Sequence, residues 1–188
     1  MNGIVDLVES QVIASVKSKQ QLEFAANSKA NIVFLLTGNL ITTKKYINHL
    51  KKYNKIIFVH IDFIDGLANT RSAIEYIANI WQPKGIITTK SNLIKFAKEE
   101  GLMAIQRIFL IDGNAMKKGI EIAHSSKPDA IEVLPGIMPD IIDNLTKLTH
   151  LPIIAGGLVS NKNQITDGLQ AGALAMSAGD SKLWNLSL

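Results

Sequence analysis

The sequence predicts an α/β fold, a compact (β/α)₈ barrel of the TIM type formed by residues 1–188 as a single domain, and three observations carry that expectation. First, eight short apolar runs alternate with amphipathic helical segments, and strict alternation favours parallel strands joined by right-handed crossovers. Second, runs such as Asn31-Ile32-Val33-Phe34-Leu35-Leu36 are apolar without a break, as strands covered on both faces must be. Third, the last two runs stop at small residues, in Pro152-Ile153-Ile154-Ala155-Gly156-Gly157 and Ala175-Met176-Ser177-Ala178-Gly179. Glycine-rich tips on the seventh and eighth strands suit a closed barrel better than an open doubly wound sheet, and no G-x-G-x-x-G follows the first strand. At 188 residues the chain falls below the usual barrel length of about 200–250, so its loops and helices must be minimal.

Taken in order, the elements follow from apolar spacing. After a short leader, residues 12–16 read as the first strand, and Leu22, Ala25 and Ala26 mark the inner face of a short helix. The second strand, 31–36, ends at Thr37-Gly38-Asn39. A helix over about 40–53 places Tyr46, Ile47, Leu50 and Tyr53 on one side, with Lys44, Lys51 and Lys55 in a row on the other and Lys45 and Lys52 beside them. Residues 55–61 form the third strand and run into Asp62; Ile74, Ile77, Ala78 and Trp81 then recur at helical spacing. Gly85-Ile86-Ile87-Thr88 is the fourth strand, and Ser91 is the expected N-cap of the helix carrying Leu93, Ile94 and Ala97. Gly101 stops that helix, and the fifth strand begins at Met103 and reaches 107 or continues to 110. Met116, Ile120 and Ala123 share a helix face before the sixth strand, 130–134. Pro139 opens a helix that turns Ile141, Ile142, Leu145 and Leu148 inward, and the seventh strand follows. Ile165 and Leu169 mark a helix ending at Gly172, strand eight spans 173–177, and Ser181-Lys182-Leu183-Trp184 supplies an abbreviated eighth helix.

Composition narrows the function. With 47% hydrophobic and 19% charged residues the chain is globular in type, and the absence of cysteine removes disulfides, thiolate metal sites and cysteine nucleophiles. His49, His60, His124 and His150 are scattered one per segment, so no multi-histidine metal site is expected. No apolar run approaches the roughly 18 residues of a membrane span and the start lacks a cationic leader, which together point to the cytoplasm. The net charge of +4 is modest, and its interest lies in the lysine row.

Ligands of such barrels bind at the C-terminal ends of the strands, which singles out Asp62, Lys90, Arg107 and Glu132. Two readings are open for these charges. Either they pair with one another to neutralise the barrel mouth, or the cations meet a small anion while the carboxylates accept from its hydroxyls. The tips Ala155-Gly156-Gly157 and Ser177-Ala178-Gly179 offer backbone N–H groups to a phosphate, the alternative being ordinary turns. His60 shares strand parity with Asp62, which aims it inward; a satisfied core histidine is the simpler reading. Trp81 and Trp184 read as packing residues, and no exposed aromatics interleave with the lysines as base stacking on RNA would want.

Several motifs in a fixed order carry a resemblance. Val59-His60-Ile61-Asp62-Phe63-Ile64-Asp65-Gly66-Leu67, Gly85-Ile86-Ile87-Thr88-Thr89-Lys90-Ser91-Asn92, Ala104-Ile105-Gln106-Arg107-Ile108-Phe109-Leu110-Ile111-Asp112 and Ile131-Glu132-Val133-Leu134-Pro135-Gly136, followed by the Gly156-Gly157 strand and Lys182-Leu183-Trp184, resemble the glycerol uptake operon antiterminator regulatory proteins. The resemblance implies a compact (β/α)₈ barrel that senses sn-glycerol 3-phosphate, needs no cofactor, and binds the leader of a nascent messenger RNA so that a terminator hairpin does not form. It implies ligand-site character for Asp62, Lys90, Arg107, Glu132, Gly156 and Gly157. The chain departs from the family at strand eight, where Ser177-Ala178-Gly179-Asp180 stands in place of the family's hydroxyl residues and puts a carboxylate beside the expected phosphate. On this reading Ser177, Ala178 and Gly179 complete the ligand site, and Lys44, Lys45, Lys51, Lys52 and Lys55 contact RNA. The rival reading is a small barrel enzyme, a lyase or isomerase of a phosphorylated polyol or sugar, with Lys90 as a Schiff-base lysine or Glu132 and Asp62 as acid and base. A scaffold without ligand is the third. Membrane partners are not expected, and the oligomeric state, a homodimer included, is open.

Overall fold

The computed structural model describes residues 3–188 and shows a closed barrel of eight parallel strands in sequential order, β1 (Val12–Val16), β2 (Ile32–Leu35), β3 (Ile56–His60), β4 (Gly85–Thr88), β5 (Met103–Phe109), β6 (Ala130–Leu134), β7 (Ile153–Gly156) and β8 (Ala175–Ala178). Closure is made by β1 on β8, where Val12 pairs with Met176, Ile13 with Ser177 and Ala14 with Ala178. The helices are α1 (Ile4–Leu7), α2 (Gln21–Ala26), α3 (Thr43–Lys51), α4 (Arg71–Tyr76), α5 (Ser91–Glu99), α6 (Gly113–Ser126), α7 (Pro139–Leu148) and α8 (Lys162–Gln170). A π-helical turn, Ile77–Trp81, extends α4, and 3₁₀ turns occupy Ile61–Phe63 and Ser181–Asn185.

Strand parity divides the core in two. Residues such as Val33, Val59, Ala104 and Val133 pack outward on the helices, while Ile13, Ile32, Phe34, Phe58, Ile87, Ile105, Ala130, Ile154 and Ala175 fill the barrel. Inside, Phe34 and Phe58 meet edge to face with centroids 6.0 Å apart. Ile4 joins the interior cluster beside Ile32 and Ile56, which open their strands, so the single turn of α1 closes the N-terminal end of the barrel. Asn31 holds that turn in place: its Nδ2 donates to Leu7 O at 2.8 Å and its Oδ1 accepts from Ser10 N at 3.0 Å. At the other terminus Trp184 is buried and its Nε1 donates to Ala178 O at 2.7 Å, sealing the seam beside β8.

Four expectations are corrected. The leader contains α1, whose four residues show too little periodicity to be read as a helix. The N-cap of α5 is Lys90 rather than Ser91, because Thr88 Oγ1 already accepts from Lys90 N at 3.1 Å and closes the turn one residue earlier. Tyr53 and Leu148 are exposed: α3 stops at Lys51, and Leu148 is the last residue of α7, past its buried stripe. Strand eight is displaced to Ala175–Ala178 because Gly172, at φ 101°, turns the chain and leaves Ala173 and Leu174 in the connection. The inner faces marked by Leu22, Ala25 and Ala26, by Leu93, Ile94 and Ala97, and by Ile120 and Ala123 are buried as expected.

Candidate functional site

The C-terminal strand ends surround one cavity of about 710 Å³. Two residues beyond the apolar fill, the same parity turns Ser15, His60, Arg107, Glu132 and Ser177 inward. Arg107 Nε donates to Glu132 Oε2 at 2.7 Å, and Ser177 Oγ donates to Glu132 Oε1 at 2.8 Å. The ion pair is sealed, with side-chain exposures of 5% for Arg107 and 1% for Glu132. Gly156 is required beneath this set, since a Cβ there would collide with Ser177 Oγ and lie 3.2 Å from Glu132 Oε1.

Above it, the tips of β7 and β8 form the cavity wall with Gly157, Leu158, Gly179 and Asp180. Outside the strand ladders, no backbone hydrogen bond among the described residues uses the N–H groups of these four. Gly157 and Leu158 are both left-handed, at φ 75° and 61°, and a leucine held in that region costs about 1–3 kcal/mol, a strain characteristic of ligand-binding loops. Lys17, four residues after Ile13 on the inward face of β1, leans over the same tips: a Cβ on Gly179 would lie 2.7 Å from Lys17 Nζ. Among the described residues no hydrogen bond or ion pair engages that ammonium. Asp180 lines the cavity, yet its Oδ1 already accepts from Lys182 N at 3.0 Å and caps the last 3₁₀ turn.

Asp62 and Lys90 form a different cluster. Lys90 Nζ donates to Asp62 Oδ1 at 3.1 Å, Thr88 Oγ1 donates to the same oxygen at 2.7 Å, and Thr89 gives both its N–H and its hydroxyl to Oδ2 at 2.8 Å. Burial pushes the Asp62 carboxyl up, but the Thr89 N–H, the two threonine hydroxyls and Lys90 outweigh it and hold it below the usual value. Neither residue lines the cavity. Both charge pairs weighed from the sequence therefore form, and Arg107–Glu132 alone borders the cavity. Ala178 turns its side chain to the helix layer and contributes its carbonyl to Trp184.

His60 is 1% exposed, and neither ring nitrogen has a hydrogen-bond partner. The expected satisfied core histidine is thus corrected: strand parity buries the ring where no group among the described residues hydrogen-bonds either nitrogen. Burial, reinforced by the nearby Arg107 charge, drives its pKa down to about 3, so it is neutral at physiological pH. Because the unfolded chain protonates this histidine near pH 6.5 and the folded chain does not, stability falls as pH drops from about 6.5 towards 3, by roughly 1.4 kcal/mol per unit. His60→Leu is expected to remove that slope in urea titrations at stepped pH, and an unchanged slope would mean another group is responsible.

The lysine row is largely occupied. Lys44 Nζ donates to Trp81 O at 3.1 Å and Lys51 Nζ to Gln82 O at 2.6 Å, capping the carbonyl end of the π turn, while Lys55 Nζ binds Ser28 O at 2.6 Å and Ala30 O at 2.9 Å. Lys45 and Lys52 are exposed and make no such bond among the described residues. Sequence reasoning missed Lys17, Ser15 and Ser160 at the cavity; the i, i+2, i+4 parity of Ile13, Ser15 and Lys17 carried the signal for the first two. It also missed the exposed aromatics Phe63 and Phe109 at the mouth. Among the described residues no cluster of three or more histidine or acidic side chains is placed to hold a metal, and no helix is long and apolar enough to cross a membrane.

Fold and site together define a minimal (β/α)₈ barrel protein with an amide-edged cavity at its C-terminal mouth, lined by the cations Lys17 and Arg107 and the carboxylates Glu132 and Asp180. The profile of the glycerol-3-phosphate responsive antiterminators matches residues 12–184. The chain belongs to that family. It is 32% identical to the Escherichia coli (strain K12) protein YgcP over 181 residues, 96% of this chain and 95% of YgcP. The glycerol uptake operon antiterminator regulatory protein from Listeria monocytogenes superposes with a TM-score of 0.90 at 31% identity, over 94% of this chain and 95% of that one. A glycerol uptake operon antiterminator-related protein from Thermotoga maritima does so with a TM-score of 0.82 at 30% identity, over 92% and 96%.

Proposed function

We propose that the chain binds sn-glycerol 3-phosphate in this cavity and, in response, changes its affinity for the leader of a messenger RNA, so that transcription of glycerol uptake and utilisation genes continues past a terminator. Such a regulator works in the cytoplasm on nascent transcripts. The observation that supports the ligand is the unpaired Lys17 ammonium beside the amides of Leu158, Gly179 and Asp180, which make no hydrogen bond outside the strand ladders. A cation beside backbone N–H donors is the pattern a phosphate dianion requires. Beneath them Arg107, Glu132 and Ser177 offer donors and acceptors to a glyceryl end.

The ligand shifts RNA affinity only if it binds one conformation better than the other. For RNA contact, Lys45 and Lys52 remain from the five lysines, because withdrawing Lys44 or Lys51 would uncap the π turn and withdrawing Lys55 would strip the connection carbonyls of Ser28 and Ala30 of their donor. The enzyme reading has less to stand on: Lys90 is held by Asp62 away from the cavity, and Asp62 and Glu132 belong to separate clusters. Leader-RNA binding measured with and without glycerol 3-phosphate across a salt series tests the proposal. Affinity that changes with ligand, falls with salt and drops further in a Lys45→Glu, Lys52→Glu double variant is the expected result; indifference to both ligand and salt would remove it.

A further inference from the structure

His60 is a buried polar group of the barrel interior whose ring nitrogens find no partner among the described residues. A buried ring with both nitrogens unpaired is costly to keep, and such a group calls for a partner that arrives later. The partition between this ring and the cavity is thin. The Phe63 ring meets His60 edge-on at 4.5 Å between centroids, lines the cavity, and is itself 53% exposed on the short turn Ile61–Phe63. Arg107 lies over the same Phe63 ring at 5.9 Å, so the cation bordering the cavity and the histidine behind it share one aromatic cover. The charges that reach the imidazole are Arg107 and Lys90, which disfavour its protonation, and Asp62, which favours it.

We propose that His60 reads the hydroxyl end of the ligand: with Phe63 turned aside, one ring nitrogen hydrogen-bonds a hydroxyl, so the site selects polyol phosphates over phosphate monoesters that lack hydroxyls. The chemistry fits. A neutral imidazole carries one donor and one acceptor, which suits a hydroxyl that is also both, whereas a phosphate wants the cations and amides found at β7 and β8. The inference rests on the reading that the cavity takes a phosphate ester, and the experiment separates the two.

Calorimetric titration of the full chain with sn-glycerol 3-phosphate and with n-propyl phosphate, which keeps the phosphate and the three-carbon chain without hydroxyls, is the test. The wild-type chain is expected to prefer glycerol 3-phosphate by about tenfold or more, the usual consequence of leaving a site's polar group unpaired. His60→Leu is expected to lose that preference while its affinity for n-propyl phosphate stays nearly the same; His60→Gln, which keeps a donor and an acceptor, retains part of it. An intact preference in His60→Leu overturns the proposal and leaves the phosphate reading standing, and failure of both esters to bind the wild-type chain overturns both. The ring ¹⁵N resonances of His60 in the unmutated chain give a reading independent of any variant's folding. They are expected to move with glycerol 3-phosphate and not with n-propyl phosphate, and resonances indifferent to glycerol 3-phosphate would overturn the proposal, assigning the ring a bound water only.

Discussion

Glu132→Ala is expected to lower the stability of the chain by about 3–5 kcal/mol, because it removes one partner of a buried ion pair and leaves the other charged. Arg107 is 5% exposed, and the carboxylate is the acceptor for its Nε and for Ser177 Oγ alike. For a single domain whose whole stability is about 5–15 kcal/mol, a loss of this size takes the folded state close to its limit. Urea unfolding reads it as a lower midpoint at unchanged slope. Replacing the pair together, Arg107→Met with Glu132→Leu, is expected to restore much of the loss, since desolvation of both charges is then avoided. A double-mutant cycle that shows no coupling between the two positions would remove the pair from the account of the core.

The second large effect is on binding. Lys17→Ala is expected to weaken glycerol 3-phosphate affinity about 10- to 100-fold, the worth of one charge-assisted hydrogen bond to a phosphate. Stability should barely change, since the exposed ammonium contacts no acceptor among the described residues. Lys90→Ala is the informative contrast. It breaks the bridge to Asp62 outside the cavity and leaves ligand affinity nearly intact, whereas a ligand site spread across all four charged strand ends would lose affinity with either lysine. Calorimetric titration of the two variants side by side decides between these arrangements.

The sequence made the barrel legible because buried parallel strands are short apolar runs, as at Ile32–Leu35 and Gly85–Thr88, and each is followed by a helix with one apolar stripe. It also made Arg107 and Glu132 legible, since a charge inside a strand of that kind has nowhere ordinary to go. What it hid was partnership. Pairing among the four charges could be weighed, but nothing in a linear string says which cation meets which carboxylate, or that the ammoniums of Lys44, Lys51 and Lys55 reach backbone carbonyls of other segments. Lys17 was hidden for the opposite reason: one lysine after a strand looks like surface until β1 is seen to close on β8 and lay it against Gly179. The orphaned imidazole of His60 could not be read either, because satisfaction depends on neighbours contributed by several strands and a turn.

On this reading a phosphate ester sits at the tips of β7 and β8 under Lys17. A crystal structure of the chain grown with sn-glycerol 3-phosphate tests it most directly. The phosphate is expected within hydrogen-bonding distance of the Gly157, Leu158, Gly179 or Asp180 amides and of Lys17 Nζ, with the glyceryl end directed towards Arg107 and Glu132. A phosphate bound instead beside Lys90, or against Lys45 and Lys52 on the outer face, would contradict it.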